Sequence, residues 1–145
     1  MFSNCSFLTQ APELPATTLA NNCYSEMFSG CQFLTQAQAI LPATTLASSC
    51  YAYMFVNCSS LTQAPELPAT TLANNCYESM FSGCTSLSSL KVAFTAWGSN
   101  LYKQTKSWLN SVAATGTFEC PRALIDNTTT RDANTVPSSW TMVAV

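Results

Sequence analysis

Eight cysteines and no histidine bound the chemistry open to this chain of 145 residues. Seven of the cysteines fall in two registers, Cys5, Cys31, Cys58 and Cys84 in one and Cys23, Cys50 and Cys76 in the other; Cys120 stands apart. Within one unit the spacing is C-x7-C, not the C-x2-C of a zinc site, and no imidazole is present to complete a ligand set. Three readings stay open for these residues. A cysteine recurring on an apolar stripe behaves as a small buried hydrophobe. Disulfides form in an oxidising compartment. A metal site is the third. Stacked copies would lie about 4.8 Å apart, one strand spacing.

Acid–base and nucleophilic machinery is missing in the same way. Neither a Ser-His-Asp nor a Cys-His arrangement can exist without histidine. Glu13 and Glu66 belong to units two apart, about 10 Å at one strand spacing each. That exceeds the separation of about 6.5–9.5 Å of an inverting glycosidase pair. Four glycines are scattered, and none builds a phosphate-binding loop. The expectation is a chain that is not an enzyme and has no cofactor.

What remains is polar, uncharged surface. Charged residues make up 8% of the chain, against about 25% in an ordinary soluble domain. Thr9-Gln10, Thr35-Gln36 and Thr62-Gln63 recur in register, with Glu13 and Glu66 beside them. Both residue types donate and accept hydrogen bonds without the desolvation cost of a charge. These eight residues (Thr9, Gln10, Glu13, Thr35, Gln36, Thr62, Gln63 and Glu66) are the candidate ligand-binding set. A solvated strand face is the competing reading of the same pairs.

The elements that must position them come from a repeat. Residues 8–24, LTQAPELPATTLANNCY, recur letter for letter at 61–77 and in looser form, LTQAQAILPATTLASSCY, at 34–51. Met1, Met27, Met54 and Met80 mark spacings of 26, 27 and 26 residues, the extra residue lying in 37–41. A period in this range predicts a solenoid. The Leu-Thr-Gln-Ala stretch suits a short strand, with Pro12 and Pro65 limiting its pairing. Leu19, Ala20, Cys23, Tyr24, Met27, Phe28 and Cys31 recur at i, i+1, i+4, i+5, which predicts an amphipathic helix or two short helical turns with Thr17 or Thr18 as N-cap. Asn4, Gly30, Asn57 and Gly83 precede the cysteines of the first register. Interchange of Asn and Gly at one position predicts positive φ there, at a helix end. Leu8, Leu19, Phe28, Leu34, Leu46, Phe55, Leu61, Leu72 and Phe81 form the expected core.

The recurring Met-Phe, [Gly/Asn]-Cys-x-x-Leu, Pro-Ala-Thr-Thr-Leu-Ala and Cys-Tyr elements resemble the BspA-like bacterial leucine-rich repeats, in their 26-residue variant from surface proteins of gut bacteria. The resemblance covers residues 1–90. Trp108-Leu109-Asn110-Ser111-Val112, Gly116-Thr117-Phe118 and Val136-Pro137-Ser138-Ser139-Trp140-Thr141 are similar to the ending that follows such arrays, whereas residues 121–135 diverge from it. The resemblance implies an α/β repeat solenoid, a leucine-rich-repeat right-handed stack of short strands and short helices closed by a small α+β C-terminal cap. It also implies a non-enzymatic cell-surface or secreted binding or adhesion module for a protein or glycan ligand. A passive structural spacer, or an assembly component of a larger surface protein, is the alternative.

Residues 1–90 then form the array, about three and a half repeats, and residues 91–145 the capping segment. In the cap, 90–94, 117–120 and 140–145 read as strands, and Leu101, Thr105, Trp108, Leu109 and Val112 as one helical face with Asn100 as N-cap. Trp97 and Trp108 read as aromatics closing the end of the array. Met1-Phe2 stands in mid-repeat register, so the expectation is a truncated N-terminal end and a signal segment outside this chain. Residues 1–90 carry four acids and no base; residues 91–145 carry five bases and three acids. No basic stripe for nucleic acid results. No apolar run reaches the roughly 18 residues of a membrane span. An unidentified protein or glycan is the expected partner, at the cell surface or outside the cell.

Overall fold

Positive φ at every fourth residue sets the course of the chain through the apolar half of each copy. The structure, a computed structural model, describes residues 1–98 and 104–145. Left-handed backbone occurs at Asn22, Glu26 and Gly30 (φ 57°, 57° and 73°), at Ser49, Tyr53 and Asn57, at Asn75, Ser79 and Gly83, and again at Ser107 and Ser111. An α-helix cannot pass through such residues, and the i to i−4 ladder is replaced by overlapping turns. The N–H groups of Cys23, Ser25, Met27, Ser29 and Cys31 each bond the carbonyl three residues back. The intervening N–H groups of Asn22, Tyr24, Glu26, Phe28 and Gly30 donate to Ser48, Cys50, Ala52, Met54 and Val56 in the following copy. Every amide of this stretch thus has a partner, half of them local and half in the next copy, as buried backbone requires.

The side chains follow a period of four. Cys50, Tyr51, Met54, Phe55 and Cys58 are buried in one copy, and Cys76, Tyr77, Met80, Phe81 and Cys84 in the next. An α-helix would carry this stripe round by about 40° every four residues; the turn path holds it on one side. Rings of successive copies lie face to face. Phe2, Phe28, Phe55 and Phe81 are separated by 5.7, 5.4 and 5.7 Å. Tyr24, Tyr51, Tyr77 and Trp108 are separated by 5.8, 6.1 and 5.9 Å.

Among the described residues the regular elements are three strands and one helix, all beyond residue 88: β1 (Ser89–Lys91), β2 (Thr117–Cys120), α1 (Arg122–Asp126) and β3 (Thr141–Ala144). The strands form one parallel sheet in the order β1-β2-β3, with Leu90 opposite Phe118 and Phe118 opposite Met142. Phe118 and Cys120 point into the core. Pro121 precedes α1 with φ −58°, and Leu124 is its buried residue. The Asn127 amide and the Thr128 hydroxyl bond back to the carbonyls of Ala123 and Leu124 at its end. Trp97 donates its indole N–H to that same Thr128 hydroxyl. Trp108 lies fully buried and donates to the Thr135 carbonyl, while Trp140 donates to that of Ala113.

This corrects the fold expected from sequence. The α/β leucine-rich-repeat solenoid of short strands and short helices is not what the structure holds: it is a small domain whose described residues form a three-stranded parallel sheet and one short helix. Before residue 89 the only β pairing among the described residues is isolated bridges, and the helical stripe expected from residue 19 to 31 is the turn path. The physical reason is the residue at each fourth position. Asn, Ser or Gly stands at seven of the nine such positions between residues 22 and 83 and disfavours a helix; Glu26 and Tyr53, the middle positions of their copies, are carried into left-handed backbone by the turns on either side. The helical face expected at 101–112 is likewise corrected over residues 105–112, which follow turns with Ser107 and Ser111 at positive φ; its remaining residue Leu101 and the N-cap Asn100 lie outside the described residues.

Five of the nine expected core residues are buried: Phe28, Leu34, Phe55, Leu61 and Phe81. Leu8, Leu19, Leu46 and Leu72 are half-buried and pack against that core. Positive φ at Asn4, Gly30, Asn57 and Gly83 (59°, 73°, 60° and 78°) agrees with the reading of the Asn/Gly interchange, although a turn and not a helix end requires it. A second constraint acts at the glycines. The Asn4 side-chain oxygen fills the space that a Cβ on Gly30 would need, and that of Asn57 does the same over Gly83.

Candidate functional site

The Thr-Gln pairs owe their placement to sparse parallel pairing. Gln10 is bridged to Gln36, and Gln63 to Ser89, whose own partners in the sheet continue through Thr117 to Thr141. The Thr35 N–H and hydroxyl both donate to the Thr9 carbonyl, at 3.0 and 3.1 Å. Because the pairing is only one residue long, neither member of a pair is turned inward. Thr9, Gln10, Thr35, Gln36, Thr62 and Gln63 are all exposed.

The row is interrupted between Gln36 and Gln63. No bridge or backbone hydrogen bond joins residues 35–38 to residues 62–65 among the described residues. Pairing resumes one step further on, where the Glu66 N–H donates to Ala39 and the Leu41 N–H to Glu66. On the other flank the Ser59 hydroxyl donates to the Gln32 carbonyl. The extra residue of the middle copy lies in this stretch and shifts the register. Gln38, within it, turns to the preceding copy. Its side-chain oxygen accepts from the Leu14 N–H at 2.5 Å and its amide nitrogen donates to the Leu14 and Ile40 carbonyls, replacing a backbone rung. The gap forms a cleft of about 480 Å³ lined by Thr35, Gln36, Ala37, Gln38, Ala39, Thr62, Gln63 and Ala64.

The two carboxylates stand apart from this row in different ways. Glu13 is exposed beside Leu14, Pro15, Gln38 and Ile40. Glu66 is half-buried in the pairing and its carboxylate meets the Lys91 ammonium at 3.3 Å, in a recess shared with Ser89 and Glu119. A solvent-accessible pair of this kind, with Glu66 only half-buried, contributes little to stability. The structure therefore brings Thr35, Gln36, Thr62 and Gln63 round one cleft, sets Thr9 and Gln10 beside it on the neighbouring copy, and places Glu13 and Glu66 on separate recesses.

The cysteines present thiols to backbone rather than to one another. All eight are free. The Cys31, Cys58 and Cys84 thiols donate to the carbonyls of Phe2, Phe28 and Phe55 at 3.0–3.1 Å. Burial pushes Cys50 up to about 11, Cys76 and Cys84 up to about 12, and Cys58 higher still. Such thiols are poor nucleophiles and poor metal ligands at neutral pH. Cys23 is exposed and Cys5 half-buried, so the stripe is incompletely covered in the first copy. Among the described residues no cluster of three or more Cys, Asp or Glu side chains is placed to hold a metal ion, and no helix is long and apolar enough to cross a membrane.

Sequence reasoning located the Thr-Gln row but not its interruption. The signal was present: one extra residue in a 26-residue period must be absorbed where two neighbours otherwise pair. No protein-family model, curated protein or solved structure matches this chain.

Proposed function

We propose that the chain is a non-enzymatic binding module, displayed at a cell surface or secreted, that uses the Thr-Gln face to hold a protein or glycan. The observation that carries the reading is the joint exposure of Thr9, Gln10, Thr35, Gln36, Thr62 and Gln63, with Gln10 bridged to Gln36 on one side of the split and Gln63 to Ser89 on the other. Side chains carried on backbone that is hydrogen-bonded to its neighbour lose less freedom on binding, which reduces the ordering cost of association. Their lack of charge makes the interaction insensitive to salt.

The face is tested with a Gln10→Ala/Gln36→Ala/Gln63→Ala variant, compared with the parent on a glycan array and on a panel of extracellular-matrix proteins. Loss of the parent's binding with an unchanged melting temperature is the expected result. Binding that survives the triple substitution refutes the face. A spacer role is favoured by one observation, the letter-for-letter identity of residues 8–24 and 61–77, since a recognition surface gains selectivity from differences between copies. An empty array and panel favour the spacer.

A further inference from the structure

We infer that the split between the middle and third copies is a binding cleft for a neutral, hydroxyl-rich ligand of one or two sugar rings. This rests on the reading of the Thr-Gln face as a binding surface and narrows it to one place on that face.

Four observations converge on the cleft. Its walls, Thr35-Gln36-Ala37 and Thr62-Gln63-Ala64, are the stretches that pair with a neighbour elsewhere in the row but not with each other. The Ala37 and Gln63 N–H groups accordingly have no hydrogen-bond partner among the described residues, so backbone donors line the space beside the Gln36 and Gln63 amides and the Thr35 and Thr62 hydroxyls. Among the described residues no charged side chain lines it; Glu66 is paired with Lys91 in one adjoining recess, which also holds Glu119, and Glu13 lies in another. Its volume of about 480 Å³ falls in the usual range for small-molecule sites, about 300–1,000 Å³.

Chemistry then selects the ligand. An anion or cation would enter with no counter-charge and would forfeit its hydration. An apolar molecule would strand amide and hydroxyl groups that now meet water. A sugar presents closely spaced hydroxyls, each both donor and acceptor, and matches the mixture of Gln amides, Thr hydroxyls and free backbone N–H groups. Gln38, also on the cleft wall, is already committed to Leu14 and Ile40 and so does not bridge the gap to the third copy. Preorganisation of that kind lowers the ordering cost of binding.

The experiment is a ¹⁵N-resolved NMR titration of the intact chain with cellobiose, lactose, maltose and N,N′-diacetylchitobiose, with an uncharged blocked peptide, acetyl-Thr-Gln-Ala-Gln-amide, as comparison. At least one disaccharide is expected to shift the Ala37 and Gln63 backbone amides and the Gln36 and Gln63 side-chain amides. Two variants locate the effect. In one, residues 37–41 are replaced by Ala-Pro-Glu-Leu, the stretch of the other copies, which restores the 26-residue period and closes the split. In the other, Gln36→Ala/Gln63→Ala leaves the split open but strips its side-chain donors, and it serves if the first fails to fold. Each is expected to weaken the sugar at least about tenfold. Shifts centred elsewhere, an affinity unchanged in the folded variants, a response to the peptide alone, or no response to any sugar overturns the inference. If array binding is lost in the triple-Gln variant but kept in the closed-split variant, the cleft falls while the broader reading of the face stands.

Discussion

Gly83→Ala tests the reasoning about the turn path more sharply than any core truncation. Gly83 has φ 78°, and its missing Cβ is replaced in space by the side-chain oxygen of Asn57 from the preceding copy. Two costs should therefore add. Holding alanine in left-handed backbone costs about 1–2 kcal/mol. Displacing the Asn57 amide costs a further amount on the order of 1–2 kcal/mol, at the lower end of overpacking penalties, because Asn57 is exposed and can swing outward. The single variant should lose about 2–4 kcal/mol. In an Asn57→Gly background the steric cost vanishes and only the backbone cost of about 1–2 kcal/mol remains. The coupling between the two sites is then about 1–2 kcal/mol, the range expected of residues in contact. Urea denaturation of the four proteins of the cycle reads it directly. Heating offers a second readout, at about 2–4 °C for each kcal/mol in a chain of this size. If Gly83→Ala costs the same with and without Asn57, the interlock does not exist, and glycine is needed for φ alone.

Three other outcomes follow from burial. Leu61 is fully buried and Leu8 only half-buried, so Leu61→Ala should cost about 2–5 kcal/mol and Leu8→Ala distinctly less in the same denaturation assay; equal losses would contradict the incomplete cover over the first copy. Alkali should destabilise the fold. Burial raises the Cys50, Cys76 and Cys84 thiols from 9.0 to about 11, 12 and 12, so above pH 9 the unfolded chain binds fewer protons than the native one. The stability is present in full below that pH and falls as pH rises towards the native values, by up to about 1.4 kcal/mol per pH unit for each thiol. The urea midpoint at pH 10 should lie well below that at pH 7, and a flat profile refutes the assignment. At pH 7 a thiol reagent should modify Cys23 quickly, the six buried cysteines slowly, and all eight once the chain is unfolded.

What the residues disclosed depended on whether a local preference or a contact decided the outcome. Asn4, Gly30, Asn57 and Gly83 advertised positive φ because few residues tolerate it, and the structure agrees. The strand at Thr117–Cys120 was legible in the same way, and that at Thr141–Ala144 to within a residue or two. The turn path was misread as a helix because i, i+1, i+4, i+5 fits both. Over twelve residues a strict period of four separates them, and Asn or Ser at residues 22, 49, 75 and 79 was the further clue. Trp108 was read as a large aromatic at the end of the repeats; it stacks on Tyr77 at the end of the column formed with Tyr24 and Tyr51, although its alignment with those tyrosines is made by tertiary contact with no repeat motif to announce it. The helix Arg122–Asp126 escaped because five residues carry too little periodicity. At the candidate site, the Thr-Gln row was visible as repetition, whereas the cleft arises from a register shift between two copies that only spatial pairing reveals.

The hydrogen bonds between copies along the turn path run one way. Amides of residues 22–30 donate to carbonyls of 48–56, amides of 49–57 to carbonyls of 74–82, and amides of 77–83 to carbonyls of 104–110. A chain emerging from the ribosome therefore releases each set of donors before its acceptors have been made. The first copy cannot close its outward bonds until some 26 more residues have followed it. The last such passage is in turn held by residues synthesised later still, with the Leu109 N–H donating to Ala133, the Ser107 N–H to the Asn134 side chain and the Trp108 indole to Thr135. A chain halted before residue 133 would have made every donor and acceptor along the turn path and would still lack the three hydrogen bonds that tie residues 107–109 to residues 133–135.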